Sequence, residues 1–416
     1  MPSNESSPPA KGLGHLRHIP ISYDSDNPSS SARELILALR PDWASPDSNI
    51  EFIPFKDGIT NTLLKAVNRK NGLSDDEIDK EAVLLRAYGH GTDVLIDRHR
   101  ETQNHELLMR CGLAPELLAR FDNGMLYRYI RGTPTQPADL RKPSIYLAVA
   151  RRIAQWHATV PCIHETHVQT NGANGSANGS HQAKIDHAAP GKPPPNVWTV
   201  MQKWILALPT ETEAQRRRQA NLQRELDSLI EELSQRPGLG ENGLVFAHCD
   251  LLSGNVIIEP QSTEKANGRQ TSVSFIDYEY ATPSPAAFDL ANHFAEWGGF
   301  ECDYTAMPTR AQRLEFIREY VRTYFKLVPK RPSDVDEEEE TQKLLEETDV
   351  FRGVPGFYWG IWALIQATIS HIDFDYAEYA ELRLGEYWGW RESTDEARGR
   401  AGKGLSAREK RWAQLE

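Results

Sequence analysis

His248-Cys249-Asp250-Leu251-Leu252-Ser253-Gly254-Asn255, followed by Phe275-Ile276-Asp277-Tyr278-Glu279, decides how this chain is read. Asp250 stands five positions before Asn255, and a second acid, Asp277, closes the next apolar run. The spacing divides labour in a way phosphoryl transfer requires. Asp250 can accept the proton of a substrate hydroxyl, with His248 grouped beside it as catalytic, while Asn255 and Asp277 offer hard oxygens to Mg2+ bridging the phosphates of ATP. Read singly, the pieces are ordinary: a His-x-Asp turn can cap an element, and an Asp can end a strand. In this order they point to chemistry.

Outward from that stretch, Ile50 to Phe55 and Asn61 to Asn68 flank Lys56-Asp57-Gly58-Ile59-Thr60, a strand, turn, strand pattern. Glu81 to Tyr88 reads as a buried strand with one charge, Arg86, which needs a partner. Arg100 to Gly112 reads as a helix with Asp97 as its start signal, Glu101 in its first turn and Gly112 as its stop. Leu126 to Ile130 resembles a last strand, and Gly132-Thr133-Pro134 a crossing into a helical half. Helices are expected over about 142–160, 196–208, 211–235, 310–326 and 354–387, with a strand pair at 255–259 and 272–277 carrying the chemistry on its loops. The fold class is therefore α+β, with a small β-rich N-lobe and a larger, mainly helical C-lobe.

Composition bounds the rest. The 416 residues carry 47 Lys and Arg against 59 Asp and Glu, a formal charge of −12. Neither nucleic acid nor an anionic membrane is a natural partner, and a cationic substrate is favoured. Cys111, Cys162, Cys249 and Cys302 show neither C-x-x-C pairing nor metal-ligand spacing, which fits free thiols in a reducing compartment. Met1 to Gly12 lacks the apolar core of a signal peptide, and the longest apolar stretch, Tyr358 to Ile372, is too short to span a bilayer, so a cytoplasmic location is expected. Residues 1–45 are read as an arm, largely disordered; 46–131 as the nucleotide-binding lobe; 132–395 as the lobe with the catalytic and substrate sites; and 396–416 as a tail. Within the second lobe, an Asn/Gly-rich insertion near 165–195 is expected to be flexible, and the acidic segment 333–347 to be a solvated linker or helix start.

The ordered set of motifs resembles the choline/ethanolamine kinase family, a relative of protein kinases and aminoglycoside phosphotransferases, and is most similar to its ethanolamine kinases. It rests on Asp57-Gly58-Ile59-Thr60-Asn61, Leu84 to Gly89, His248 to Asn255, Phe275 to Tyr280, Phe288-Asp289-Leu290-Ala291-Asn292-His293-Phe294 and Tyr358 to Ala367. The resemblance implies a protein-kinase-like two-lobed fold. It makes Asp250 the base and Asn255 and Asp277 the magnesium ligands. Asp57, Gly58, Ile59, Thr60 and Asn61 become the phosphate-facing hairpin, Arg86 a contact to the ATP phosphates, and Glu101 the residue that positions Arg86. A buried structural pair of Arg86 with Glu101 stays open beside that role. With Arg128 in place of an acid or amide, adenine contacts around Tyr129 rest on backbone alone.

The acceptor implied is a small amino alcohol, with Glu296, Asp289, Trp297, Tyr304, Trp359 and Trp362 as candidate cation ligands. A quaternary ammonium wants aromatic faces, whereas a primary ammonium wants carboxylates or carbonyls for its N–H groups. Core packing stays open for Trp359 and Trp362. The similarity of Asp57 to Asn61 and of Val94-Leu95-Ile96-Asp97-Arg98 to ethanolamine kinases favours ethanolamine, giving phosphoethanolamine, the first step of the CDP-ethanolamine route to phosphatidylethanolamine. Choline, or both alcohols, is the alternative. An aminoglycoside or methylthioribose kinase, and a non-catalytic binding module, are rivals opposed respectively by Glu296-Trp297 with the Trp359 block and by the presence of Asp250, Asn255 and Asp277. A homodimer is compatible with the resemblance.

Overall fold

The computed structural model describes residues 16–55, 61–89, 91–162, 177–260, 270–331, 333–370, 372–394 and 404–416. The turn Asp57 to Thr60 lies outside them, as does most of the Asn/Gly repeat. The chain divides into two units, one holding the residues up to 89 with Pro115–Tyr129, the other Gly91–Ala114 with Ile130–Glu416.

The first unit contains β1 (His18–Ile19), α1 (Pro28–Leu39), β2 (Ile50–Phe55), β3 (Asn61–Asn68), α2 (Asp75–Glu81), β4 (Val83–Tyr88), β5 (Leu117–Phe121) and β6 (Gly124–Arg128). They form one sheet in the order β1-β5-β6-β4-β3-β2, antiparallel except for β1 against β5. Successive strand residues face opposite ways. Val83, Leu85 and Ala87 of β4 therefore join Leu64, Ala66, Ala119, Phe121 and Leu126 in a core closed by Leu35 and Ile36 of α1 and by Trp43. This corrects the reading of 1–45 as a largely disordered arm: residues 16–44 are built into the unit. Ala32, Leu35 and Ile36 lie at helical spacing inside a Ser-rich segment, and burying that stripe orders the helix where average composition suggested it could not. The helix α2 and the strand β5 are also additions to the sequence reading; Ser74 and Glu77 form the capping box that starts α2.

The second unit is mainly helical: α3 (Arg98–Arg110), α4 (Pro143–Thr159), α5 (Ala177–Asp186), α6 (Val197–Ala207), α7 (Glu213–Leu233), α8 (Ala286–Ala295), α9 (Arg310–Leu327), α10 (Glu337–Phe351), α11 (Val354–Ile369), α12 (Tyr376–Thr394) and α13 (Ala407–Trp412). Two small antiparallel sheets interrupt them. One joins β7 (Thr133–Pro134), β9 (Val256–Ile258) and β10 (Val273–Phe275), the other β8 (Val245–Ala247) and β11 (Thr282–Ser284). The α+β class stands. Two expectations change here, and that for the acidic segment narrows to one of its alternatives, the helix start. The insertion near 165–195 ends in a helix, α5. The acidic run is the first turn of α10, where Asp336 caps the N–H groups of Glu338 and Glu339 and the acids meet the positive end of the helix dipole. The single helix expected over 354–387 is two, α11 and α12, broken at residues 370–375. Their packing is close because Gly356 and Gly360 carry no Cβ: one built at Gly356 would stand 2.6 Å from the Arg383 carbonyl, and one at Gly360 2.7 Å from the Leu384 side chain. Among the described residues no helix is long and apolar enough to cross a membrane.

Candidate active site

Strand β8 delivers His248 to the head of the loop, and a 3-10 turn over Ser253–Asn255 returns the chain into β9. The hairpin partner β10 then delivers Asp277, and the N–H of Ile276 bonds the Asn255 carbonyl at 3.0 Å. Cys249 and Asp277 both hold φ of 64°, a left-handed conformation that costs a non-glycine residue on the order of 1–3 kcal/mol unless its surroundings enforce it. They do so at Cys249. Its N–H donates to Asp289 Oδ1 at 2.8 Å, its carbonyl accepts from Asn292 Nδ2 at 2.8 Å, and its thiol lies 3.4 Å from Ser284 Oγ.

The grip comes from one face of α8. Asp289, Asn292 and His293 are spaced three and four apart and so project together. Asp289 Oδ2 accepts the His248 N–H at 3.1 Å, and His293 Nδ1 donates to the Leu251 carbonyl at 2.8 Å. Behind them, His157 Nε2 donates to Asp289 Oδ2 at 3.0 Å and its Nδ1 meets the Tyr320 hydroxyl at 2.7 Å. Burial alone would raise the Asp289 carboxyl. The hydrogen bond from His157 and that from the Cys249 N–H outweigh it and hold it below the usual carboxylate value. Asp289 was expected to meet the substrate cation; with no exposed surface and both oxygens engaged, it serves the loop instead.

Asp250 is buried, and Asn255 Nδ2 donates to its carbonyl at 2.8 Å and to its Oδ2 at 3.3 Å. Burial, then the negative charges of Asp277, Glu296 and Glu279, push its carboxyl well above the ordinary range, against the lowering effect of the Asn255 bond. A raised carboxyl is a better base towards a hydroxyl. His248 has a different part from the catalytic one expected of it. It is wholly buried; its Nδ1 accepts the Asp250 N–H at 3.3 Å, so its Nε2 carries the proton and donates to the Ile276 carbonyl at 3.0 Å. Burial holds it near a pKa of about 4, so it is neutral at pH 7 and acts as a brace between the loops of Asp250 and Asp277. Trp156 packs on it at 5.2 Å and on Phe275 and Tyr278 at 5.7 and 5.6 Å.

The donors present suit magnesium. Asn255 turns its amide N–H to Asp250, which leaves its carbonyl oxygen outside that contact, and Asp277 and Asp250 are carboxylates whose mutual repulsion a dication would relieve. Among the described residues no group of three His, Cys, Asp or Glu closes around a point.

Arg98, at the start of α3, pairs with Glu101 at 2.9 Å and with Glu279 at 3.2 Å, and Asn104 Nδ2 donates to the Ala281 carbonyl at 2.8 Å. Glu101 thus belongs to a network fastened to the segment after Asp277. In the first unit, Arg86 is buried on β4 opposite Leu63 and Met125. Tyr129 receives Lys65 Nζ on its ring at 4.0 Å, and its N–H bonds the Ala82 carbonyl at 3.1 Å, while the Arg128 N–H bonds Glu116 at 2.9 Å. Neither N–H is spare for adenine.

Of the expected cation ligands, Trp359 and Trp362 stand edge-to-face at 5.5 Å, and both indole N–H groups are engaged, Trp359 with Asn292 Oδ1 and Trp362 with the Tyr280 hydroxyl, each at 2.8 Å. What remains for a ligand is their faces. Asn292 therefore ties the strained loop residue Cys249 to the aromatic helix α11. Trp297 is fully buried and donates to His293 Nε2 at 3.2 Å, a packing role. Tyr304 is half-buried on a short turn after Glu296. Glu296 is buried, raised by that burial, and bonded to Arg383 Nη2 at 3.1 Å. A cavity of about 380 Å³ lies at the end of α11, lined by Gln366, Asp373, Phe374, Asp375 and Tyr376, and Tyr376 packs edge-to-face on Trp362 at 5.8 Å. Asn292, His293 and Tyr280 lie in motifs the sequence reading quoted but gave no part to, and His157 and Arg383 were not singled out; the polar triplet at i, i+3, i+4 in the apolar helix α8 was the signal available for the first two.

The family model described as choline/ethanolamine kinase matches residues 52–388. A probable ethanolamine kinase from Nematostella vectensis is 33% identical over 376 residues, 89% of this chain and 95% of that one. Ethanolamine kinase 2 from Homo sapiens is 33% identical over 373 residues, 88% of this chain and 82% of that one. Among solved structures, a Plasmodium vivax ethanolamine kinase aligns with a TM-score of 0.64 at 23% identity, covering 88% of this chain and 89% of its own, and a choline kinase from Cryptosporidium parvum with 0.57 at 20%, covering 87% and 96%. The fold is thus shared with kinases of small amino alcohols, and with the sequence match it follows that the chain belongs to the choline/ethanolamine kinase family.

Proposed function

We propose that this chain transfers the γ-phosphoryl group of ATP to the hydroxyl of ethanolamine. The observation that carries the reading is the single frame of α8, which fixes the Asp250 loop through Asp289 and His293 and, through Asn292, the Trp359 indole. The ethanolamine oxygen attacks phosphorus, its proton passes to the Asp250 carboxylate, the bond from phosphorus to the β–γ bridging oxygen breaks, and ADP leaves with that electron pair. Asn255 and Asp277 would hold magnesium, which when bound offsets charge on the phosphate oxygens. By the resemblance Arg86 and Asp57 to Asn61 are assigned to the nucleotide phosphates, Glu101 to the positioning of Arg86, and Tyr129 to the base.

Glu296, Trp359, Trp362 and Tyr304 take the ammonium group, aided by the acids around the cavity beside Trp362. Relatives named ethanolamine kinases at 33% identity support the primary amine. Choline is the second reading, favoured by the two indoles whose N–H groups are engaged and whose faces alone remain. ADP release by the purified chain, followed with ATP and either alcohol at equal concentration, tests this: a higher kcat/KM for choline would reverse the assignment, and none for either would remove it. Placement in the cytoplasm at the first step towards phosphatidylethanolamine, and assembly as a homodimer, extend the proposal and are checked by cell fractionation and by sedimentation of the same preparation.

A further inference from the structure

Glu296 is the first member of a buried file of charges that ends on the short helix α13. Arg383, bonded to Glu296 Oε1, lies with its Nε 3.3 Å from Glu386 Oε2, and the same oxygen lies 3.9 Å from Arg408 Nε. Neither contact has hydrogen-bond geometry, so charge alone suspends Glu386 between two guanidinium groups. Beyond it, Arg408 Nη1 meets Glu409 Oε1 at 3.3 Å, and Glu409 Oε2 accepts from Arg352 Nε at 2.8 Å. Glu296, Arg383, Glu386, Arg408 and Glu409 are all buried. The signs alternate, three acids against two arginines with Arg352 as the third cation, and buried charges this close are strongly coupled.

The helix at its far end is fastened independently. Trp412 donates its indole N–H to Asp349 Oδ1 at 2.7 Å and lies under the Arg313 guanidinium at 4.0 Å, while the Gln414 and Leu415 carbonyls accept the first N–H groups of α9 at 2.9 and 3.0 Å. Arg411 Nη2 donates to the Met307 carbonyl at 2.7 Å, just after the turn that bears Tyr304.

We propose that α13 is a positioning element of the amino-alcohol pocket, in which Arg408, through Glu386 and Arg383, sets how far Glu296 is neutralised and so how firmly it holds the substrate ammonium. This rests on Glu296 being a cation ligand. Without the Arg408 charge, Glu386 claims Arg383 for itself, Glu296 loses its counter-charge, and it takes up a proton more readily. Without the Glu386 charge, Arg383 turns wholly to Glu296, which stays ionised to lower pH. Among the described residues, the other groups facing Glu296 are Tyr379 of α12, Cys302 beside Arg383, and Asp250 on the catalytic loop. Burial holds the Tyr379 hydroxyl and the Cys302 thiol, the latter at about 11, neutral over the working range, which leaves Asp250 as the one common background.

The test uses Arg408→Gln, Glu386→Gln and the double variant in the full chain, with KM for ethanolamine and for ATP measured across pH. Arg408→Gln raises the ethanolamine KM about tenfold and leaves that for ATP within about twofold, and the acidic limb of kcat/KM for ethanolamine moves to higher pH. Glu386→Gln moves the same limb to lower pH. The double variant removes both charges and returns the ethanolamine KM to within about threefold of the parent chain. Should Arg408→Gln not fold, the other two carry the test, since neither leaves an uncompensated buried acid. Limbs that move the same way or not at all, or an ATP KM that changes as much as that for ethanolamine, overturn the proposal. Glu296→Gln separates the two layers. If it leaves the ethanolamine KM unchanged, the role of Glu296 itself fails; if it raises that KM while the other variants do nothing, only the role of α13 fails.

Discussion

Asp289 Oδ1 accepts the backbone N–H of Cys249 at 2.8 Å, and in doing so holds a left-handed, non-glycine residue immediately before Asp250. An amide in its place would keep one acceptor and turn an NH2 group towards an N–H. Asp289→Asn is therefore expected to lower stability by about 3 kcal/mol in urea denaturation and to lower kcat in the fraction that folds, because the base is no longer aimed. A variant with parent-like kcat would show that the loop keeps its shape without the carboxylate.

Asp250 stands among other acids, and its carboxyl is raised first by burial and then by Asp277, Glu296 and Glu279. Asp250→Asn removes a charge that the folded state holds at a disadvantage. It should lower kcat by about 10²- to 10⁴-fold while raising the melting temperature. Calorimetry of the nucleotide-free variant checks the second half; a lower melting temperature would contradict the electrostatic account.

His248 and His293 are both held near a pKa of about 4 by burial. In the unfolded chain each titrates near 6.5, so below that value the unfolded state binds more protons than the folded one. Their contribution is complete above about pH 6.5 and is lost as pH falls towards 4. Denaturant midpoints measured at steps down this window should fall, and His293→Gln should flatten the slope.

Trp359 and Trp362 differ in what their indole N–H groups hold. Trp362→Leu loses a ring face and the Tyr280 contact, and is expected to raise the amino-alcohol KM about tenfold with kcat little changed. Trp359→Leu also frees Asn292, which grips the Cys249 carbonyl, so kcat falls as well. Steady-state kinetics with saturating ATP distinguishes them.

Local spacing made the catalytic stretch legible: Asp250 to Asn255 and the strands on either side of residues 56–60 are set by neighbours in sequence, and so are the starts of α3 and α6 at Asp97 and Asn196. What stayed hidden acts at long range. Arg383 is 87 positions from Glu296 and Tyr320 is 163 from His157, separations over which a single sequence carries no pairing signal. The parts given to Asp289, Trp297 and His248 changed for a related reason. Residue type suggested contact with a ligand, while burial and the loss of every free polar atom assign them to the scaffold. Residues 16–44 were misjudged because averaging a Ser-rich segment concealed Leu35 and Ile36, and the break at 370–375 because an apolar run says nothing of where a helix reverses.

Cys249 and Asp277, both left-handed, follow directly on the two residues, His248 and Ile276, that the brace joins. Their cost is carried by α8 and by that brace, so these loops behave as loaded springs latched by side chains rather than as relaxed turns. On heating, latches of this kind give way before the helices that bear them. Activity should thus disappear, reversibly at first, several degrees below the temperature at which the circular dichroism of the helices is lost.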